Sequence, residues 1–445
     1  MFDYNLIGFL GIAAISLIAG VIFALRGGQP FPPRLLILAL ALRVAGSFVR
    51  YEVLFRAYGG MADSVGYYSH GLAFAERFWD LDFSVLGLAQ WFGDGKWWGT
   101  RFVENLSGLV LSFIGPTMRG EFLVFSMIGF AGLYLAARAL VELSPRPVVV
   151  RYATWIWLWP SLWFWPSSVG KEAIIVFATG LFFFGYARRG GRIRWDFYLV
   201  GALLAFAIRP HYAAFLILAT VVAHWLGSWR GGAARQMTES VVVVLIAVLA
   251  LYGMTVLFGI ERADFEGMQE FLIIRGQGTL SGGSNLGGLP SGISGAPTAF
   301  INIWMRPFPW EVHNLTSLVT MCELMVLWVL IWRQRKAVLP AFKHWRDHQL
   351  LRFATVAVVG YTILIGYTFG NLGIIARQRT PMFIFLFIIL VAAPYPVLAR
   401  AAAVPTKRRL SWSGPRRDPY PAFRNSRLPT RVRPAGFLPS REREG

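Results

Sequence analysis

The chain has 445 residues, 56% of them hydrophobic and only 15% charged, with a formal net charge of +20 at pH 7. Stretches of roughly twenty apolar residues recur along it, each long enough to cross a hydrocarbon layer about 30 Å thick, which excludes an ordinary soluble fold. A single cysteine, Cys322, excludes a disulfide framework and a thiolate metal cluster; it is expected to be buried as a small apolar residue.

In chain order, the clearest spans are Leu6 to Leu25, Glu121 to Val141, Ser240 to Ile260, Leu315 to Trp332 and Thr380 to Leu398. Shorter or more interrupted segments lie at Leu35 to Arg50, Val148 to Trp165, Glu172 to Tyr186, Phe197 to Ile208, Tyr212 to Leu226 and Phe353 to Phe369. Hydrocarbon offers the backbone no hydrogen-bond partner, so each must be helical. The expectation is an all-α integral membrane protein with about eleven transmembrane helices. The first stretch is a retained span and not a signal peptide, because an acidic residue precedes it and no small-residue cleavage site follows.

Lysine and arginine concentrate in alternate loops: Arg26/Arg34, Arg138/Arg146/Arg151, Arg188 to Arg194, Arg230/Arg235 and Arg333 to Arg346. By the positive-inside rule these loops are cytoplasmic, with the N-terminus outside and the C-terminus inside. Residues 1–398 form the membrane domain. Residues 399–445 form a tail rich in Pro, Ser and Arg; from Ala401 it has eleven Lys/Arg against three Asp/Glu. It is expected to be a disordered cytoplasmic extension near anionic lipid headgroups, and not a nucleic-acid arm.

Two segments on the outer side are longer than connectors. The first, residues 51–119, carries an aromatic stretch from Phe74 to Trp98 that Asp80, Asp82, Asp94 and Lys96 interrupt, which predicts amphipathic helices lying on the surface. The second, residues 261–314, contains the glycine-rich run GTLSGGSNLGGLPSGISGAP, a flexible loop by composition and a lid or binding loop by length.

The residues able to do chemistry gather on that outer side. Asp63, in GGMADSVGYYSHG, either caps the helix behind it or acts as a carboxylate, as general base on a hydroxyl or as ligand to a divalent metal. Pro166-Ser167-Ser168-Val169-Gly170 precedes Lys171 and Glu172. This puts backbone N–H groups, hydroxyls and an ammonium at a helix start, an environment for a diphosphate, although Lys171 could simply snorkel. The tryptophans from Trp155 to Trp165 read as an interfacial belt.

Arg209-Pro210-His211 interrupts two apolar stretches almost inside the membrane, where a cation costs roughly 2.5–3.5 kcal/mol. A structural carboxylate partner is the alternative to function there, and Glu323 is one possibility. Arg43 raises the same question nearer mid-span. Arg306 to His313 offers a planar fork for phosphate and, in Glu311 or His313, a proton carrier. Arg377 and Arg379 stand in the last outer loop, where topology disfavours positive charge, and so point to an acidic ligand.

The elements Asp63-Ser64-x-x-Tyr67-Tyr68, PSSVGKE, RPFPWE and NLGIIARQR resemble those of bacterial multi-pass proteins from exopolysaccharide clusters, related to polysaccharide polymerases and to GT-C membrane glycosyltransferases. The resemblance covers most of the chain up to about Leu398 and not the tail. It implies transfer of sugar from a polyprenyl-(di)phosphate donor to a glycan acceptor at the outer face of the plasma membrane. Asp63 matches the GT-C base; Arg306, Arg377 and Arg379 match the phosphate-holding arginines of polymerases. The paired acidic motif of many GT-C enzymes is missing. No nucleotide-sugar or Rossmann motif is visible, which fits an outer site.

Expected partners are a lipid-linked sugar or oligosaccharide, membrane lipids and other polysaccharide-assembly proteins. Glu172 and Glu311 are alternative bases to Asp63, and Lys171, Arg209 and His211 further phosphate-binding candidates. The rival readings are a flippase of lipid-linked oligosaccharide, with polar residues at midplane and broken helices, and a scaffold in an export complex.

Overall fold

A computed structural model describes residues 4–93, 96–187, 194–228, 277–280, 284–343 and 348–392, with isolated positions in 237–245 and at 274 and 345. The expected span Ser240 to Ile260, most of the loop 261–283, Arg188 to Arg192 and the basic tail lie outside the described residues.

The described chain is α-helical, and among the described residues the only strand-like feature is an isolated bridge between Asn285 and Asn371. In order the helices are α1 (Tyr4–Leu25), α2 (Pro33–Arg56), α3 (Asp63–Trp79), α4 (Leu88–Phe92), α5 (Thr100–Ile114), α6 (Met118–Ala139), α7 (Arg146–Leu158) and α8 (Pro160–Phe164). There follow α9 (Lys171–Tyr186), α10 (Trp195–Ile208), α11 (Pro210–Ser228), α12 (Ala296–Trp304), α13 (Leu315–Lys343), α14 (Gln349–Thr368), α15 (Leu372–Arg379) and α16 (Met382–Ala392).

Five of these, α1, α6, α11, α13 and α14, are long and apolar enough to cross a membrane, and a sixth span results if α15 and α16, bent by 59°, are one broken crossing. The chain is a multi-pass membrane protein on this count. The other expected spans are shorter or carry charge: α9 has 16 residues, α10 has 14, and α2 includes Arg43 and Arg50.

Helices α6, α9 and α10 form the centre, with α1 and α2 against α6 and α11 against α14. Their close approach is written in glycine. A Cβ on Gly180 would stand 2.0 Å from the Gly132 carbonyl oxygen, so α6 and α9 touch backbone to backbone at a place no other residue fits. Around this contact Trp157 packs between Phe31 and Phe130 and donates to the Leu133 carbonyl, while Tyr152 donates to that of Ile384. Buried polar tips thus find partners, as hydrocarbon surroundings require.

The span expected over Val148 to Trp165 is a broken helix. Pro160 has no N–H to continue α7, and Trp159 is extended, so α8 restarts the helix at Pro160. The interruption frees backbone groups on both sides. Arg43 donates to the carbonyls of Leu162 at 2.7 Å and Trp157 at 3.3 Å, and Glu323 accepts from the Ser161 N–H at 2.6 Å and from its hydroxyl. Arg43 is therefore a brace for a broken helix, bound to carbonyls and not to a carboxylate.

Cys322 corrects an expectation. It is exposed, next to buried Glu323 and Leu324, because α13 turns only one stripe toward its neighbours. The stretch after Asp63 is helical as expected: α3 and α5 pack closely, Gly71 against Ser107 and Gly108 against Phe74.

Candidate functional site

Five helix segments converge at one end of the bundle: the C-terminal part of α2, the starts of α3 and α9, the junction of α10 and α11, and α15. Each brings one or two charged side chains. At the centre is Glu172, in the first turn of α9, which accepts from Arg209 at 2.9 Å and from Arg377 at 3.1 and 3.2 Å. The Glu172 and Arg209 side chains are only 7% and 8% exposed. Local sequence explains the placement. Pro210 cannot donate to the α10 ladder, so the chain breaks at Arg209, and the break delivers its side chain to the start of α9. Asn371 caps α15 by accepting from the Gly373 and Ile374 N–H groups, which fixes the helix that carries Arg377.

Asp63 joins at the rim, 3.6 Å from Arg377 with its side chain 64% exposed. It occupies the first helical position of α3, and Ala62 stands at the N-cap with no side-chain cap. The capping role weighed for Asp63 is thus not the one its side chain plays. Behind it, Tyr67 is buried in reach of Asp63, Glu172 and Arg377; burial first, then the two carboxylates, push its phenol well above the usual value, so it remains a neutral O–H. Lys171 donates to the Thr100 hydroxyl at 3.1 Å and lies in electrostatic reach of Arg209, Glu172, Asp63 and Arg377.

Arg50 is a member that sequence reasoning passed over. It is buried in the C-terminal part of α2, six residues before its end, with its guanidinium carbon 5.0 Å from the Phe164 ring centroid and 5.1 Å from that of Trp165, in electrostatic reach of Arg377 and Glu172. Its Nε and Nη1, and Nη1 of Arg209, are buried without a hydrogen-bond partner. A signal existed: an arginine at the end of the apolar segment Leu35 to Arg50.

The remaining candidates are held elsewhere. Arg306 turns its fork onto Glu311, whose carboxylate also accepts from the Phe308 N–H at 2.8 Å, so the RPFPWE segment closes on itself. Burial works to raise the Glu311 carboxyl, but these hydrogen bonds outweigh it and hold the group below the usual range, ionised. Arg379 is buried and donates to the carbonyls of Ile303 at 2.6 Å and Arg306 at 3.3 Å, so it caps the end of α12, with Glu323 in electrostatic reach. His313 bonds Ser284 and the Glu311 carbonyl. His211 lies half-buried in the first turn of α11. Glu323 pairs with Ser161 and does not meet Arg209, whose carboxylate is Glu172.

The glycine-rich loop also reaches this end. Leu286 N–H donates to the Gly370 carbonyl at 2.8 Å and Leu372 N–H to that of Ser284 at 3.0 Å, which ties the loop to the residues just before α15. No group of three or more His, Cys, Asp or Glu side chains able to hold a metal occurs among the described residues. Asp63 is flanked by a guanidinium where a divalent metal would need further anionic or neutral ligands, so its surroundings do not fit one.

The cluster is therefore four cations, Arg50, Lys171, Arg209 and Arg377, around two carboxylates, Glu172 and Asp63. Such an arrangement can bind an anion and present a carboxylate to it. Comparison with known proteins finds no family model, no curated relative and no solved structure that matches the chain. A functional reading rests on this geometry and on the sequence.

Proposed function

We propose that the protein is a membrane glycosyltransferase or polysaccharide polymerase that moves sugar from a polyprenyl-(di)phosphate donor to a glycan acceptor. The observation that carries this reading is the cation excess at one helix-end cluster, with unpartnered buried guanidinium N–H groups beside an exposed carboxylate. Buried polar groups without partners are rare in folded proteins, and an ion or ligand is one reason for them; here they coincide with an excess of positive charge, which favours an anion. The charge bias of the loops supports a topology of about eleven spans, counting the broken helices and the segment Ser240 to Ile260. It sets this cluster on the outer side of a bacterial plasma membrane, with the N-terminus outside and the C-terminus in the cytoplasm.

In this reading the acceptor hydroxyl attacks the anomeric carbon, its proton passes to Asp63, and the bond from that carbon to the lipid phosphate oxygen breaks. The negative charge that develops on the leaving phosphate falls among Arg377, Arg209 and Lys171, donors already in position. Glu172 orients two of these arginines through its Oε1, and its burial between them suits it to that positioning role, while the exposed carboxylate of Asp63 is the one open to an acceptor.

The interrupted helices α7/α8 and α15/α16 favour one further reading, a transporter of lipid-linked oligosaccharide, since broken spans line substrate paths in transporters. The test is an assay of lipid-linked glycan in cells that carry Arg377→Lys. Under the transferase reading the precursor accumulates at the outer leaflet, open to a membrane-impermeant oxidant. Precursor trapped on the inner leaflet selects the transporter, and unchanged precursor and polymer refute both.

A further inference from the structure

A third guanidinium and the charge balance of the cluster narrow the ligand. Arg50, Lys171, Arg209 and Arg377 exceed Glu172 and Asp63 by two positive charges. Excess charge out of water is costly, and Arg50 and Arg209 cannot relieve it by losing a proton. Arg50 is moreover held as a binding group would be. Its guanidinium carbon lies 5.0 and 5.1 Å from the ring centroids of Phe164 and Trp165, and its buried Nε and Nη1 have no acceptor; with Nη1 of Arg209 that makes three buried donor atoms without a partner. The Oε1 of Glu172 is engaged by Nη2 of Arg209 and by Arg377, and by none of these three donors.

We infer that Arg50 is an anion-binding residue of this site and that the site takes a diphosphate diester, an anion of two negative charges, with guanidinium groups in place of a metal. A phosphate diester, whether of a sugar donor or of a bilayer phospholipid, carries one negative charge and leaves the cluster with an excess. A diphosphate diester neutralises it and has oxygens enough for three separate forks. The inference rests on the transferase reading for its biological ligand, but the anion chemistry stands on the cluster alone. Among donors of the proposed reaction it selects those in which sugar leaves a lipid diphosphate.

The experiment uses the full chain in nanodiscs of zwitterionic phosphatidylcholine with EDTA present, and follows the thermal unfolding midpoint against two synthetic diesters, a farnesyl diphosphosugar and a farnesyl phosphosugar, and against inorganic pyrophosphate. The diphosphate diester is expected to raise the midpoint at a concentration at least about tenfold below that of the monophosphate diester. Pyrophosphate should act in the same direction. Nanodiscs doped with phosphatidylglycerol should leave the diphosphate response in place. Equal responses to mono- and diphosphate, or a response abolished by phosphatidylglycerol, overturn the assignment.

Arg50→Gln should keep or raise the midpoint without ligand, because it removes a buried unpaired charge, and weaken the diphosphate response by about tenfold or more. A lowered midpoint with undiminished affinity would make Arg50 a mere brace between two rings and refute its role. If that variant fails to fold, Arg50→Lys decides: it keeps the charge and loses the fork, so wild-type affinity overturns the proposal and a weakened response supports it. Diphosphate binding in a protein that makes no glycan would sink the transferase reading and leave this one; glycan synthesis with a preference for monophosphate would do the reverse.

Discussion

Arg209 donates to Glu172 across 2.9 Å, although the two are 37 residues apart in sequence, on helices that each begin or end at that point. The pair is buried, and Arg377 shares the same carboxylate. A buried carboxylate between two guanidinium groups neutralises one of them, so the cluster is assembled by Glu172 and yet retains positive charge for a ligand.

Removal of that carboxylate should be felt in the fold. Glu172→Gln leaves buried Arg209 and half-buried Arg377 without their counter-ion, and the expected loss is about 3–5 kcal/mol of stability, the usual cost of breaking a buried pair. Thermal unfolding in detergent measures it. The double variant Glu172→Gln/Arg209→Gln should recover part of the loss, and additive losses would show that the two side chains do not act as a pair.

Arg306 and Arg377 were alike in the sequence, and the structure separates them. Arg377→Lys keeps the charge but loses a fork shared between Glu172 and the site, so transfer should fall by roughly ten- to a hundredfold, the worth of one or two charge-assisted hydrogen bonds. Arg306→Lys only loosens the Glu311 clamp and should leave most activity. Polymer yield at matched expression compares them; equal loss in both would put Arg306 back into the site.

Much of this was legible before the fold. The charge bias of the loops groups Asp63, Lys171, Glu172, Arg209 and Arg377 on one side in the sequence analysis, and the structure brings these five together at one end of the bundle. Pro210 marked one break, whereas the break at Pro160 falls inside the stretch Val148 to Trp165 that reads as a single span. The partners were not legible. Arg43 and Glu323 brace the broken helix α7/α8 through backbone groups of residues more than a hundred positions away in the chain, and nothing local encodes such contacts. Arg50 was hidden for the opposite reason: inside an apolar segment it looked like a span boundary, and only the rings of Phe164 and Trp165 show how it is aimed. Arg379 looked like Arg377 two residues on, but the helical turn sends it to the Ile303 carbonyl.

The brace gives its own expectation. Arg43→Met keeps the length and apolar stem while it removes the donors to the Leu162 and Trp157 carbonyls. Each buried group left unpaired costs about 1–3 kcal/mol, so the variant should unfold at lower temperature, with ligand affinity unchanged in the fraction that folds. A change in affinity without a change in stability would mean that Arg43 acts on the site and not on the helix break.

The topology is open to a direct check that involves no assay of function. A reporter fused after Gly190 should read cytoplasmic and one fused after Gly287 should read exterior, because Lys and Arg concentrate in the first loop and not the second. The reverse pattern would place the cation cluster beside the cytoplasm, where nucleotide sugars are at hand, and would remove the argument for a lipid-linked donor.

Asp63 provides the sharpest separation of chemistry from structure. Its side chain does not cap α3, since Ala62 holds that position, and its 3.6 Å pair with Arg377 is largely exposed and so contributes little to stability, less than about 1 kcal/mol. Asp63→Asn should therefore leave expression and the unfolding midpoint essentially as in the wild type. It cannot take a proton from an acceptor hydroxyl, so polymer should fall to a small residue while lipid-linked precursor accumulates and diphosphate binding persists. Asp63→Glu, which restores the carboxylate on a longer arm, should recover part of the synthesis. Wild-type polymer from the asparagine variant would place the base elsewhere; the Glu311 carboxylate is held on both oxygens by Arg306, so the proton would then pass to the free side of Glu172, to water or to a phosphate oxygen of the donor itself.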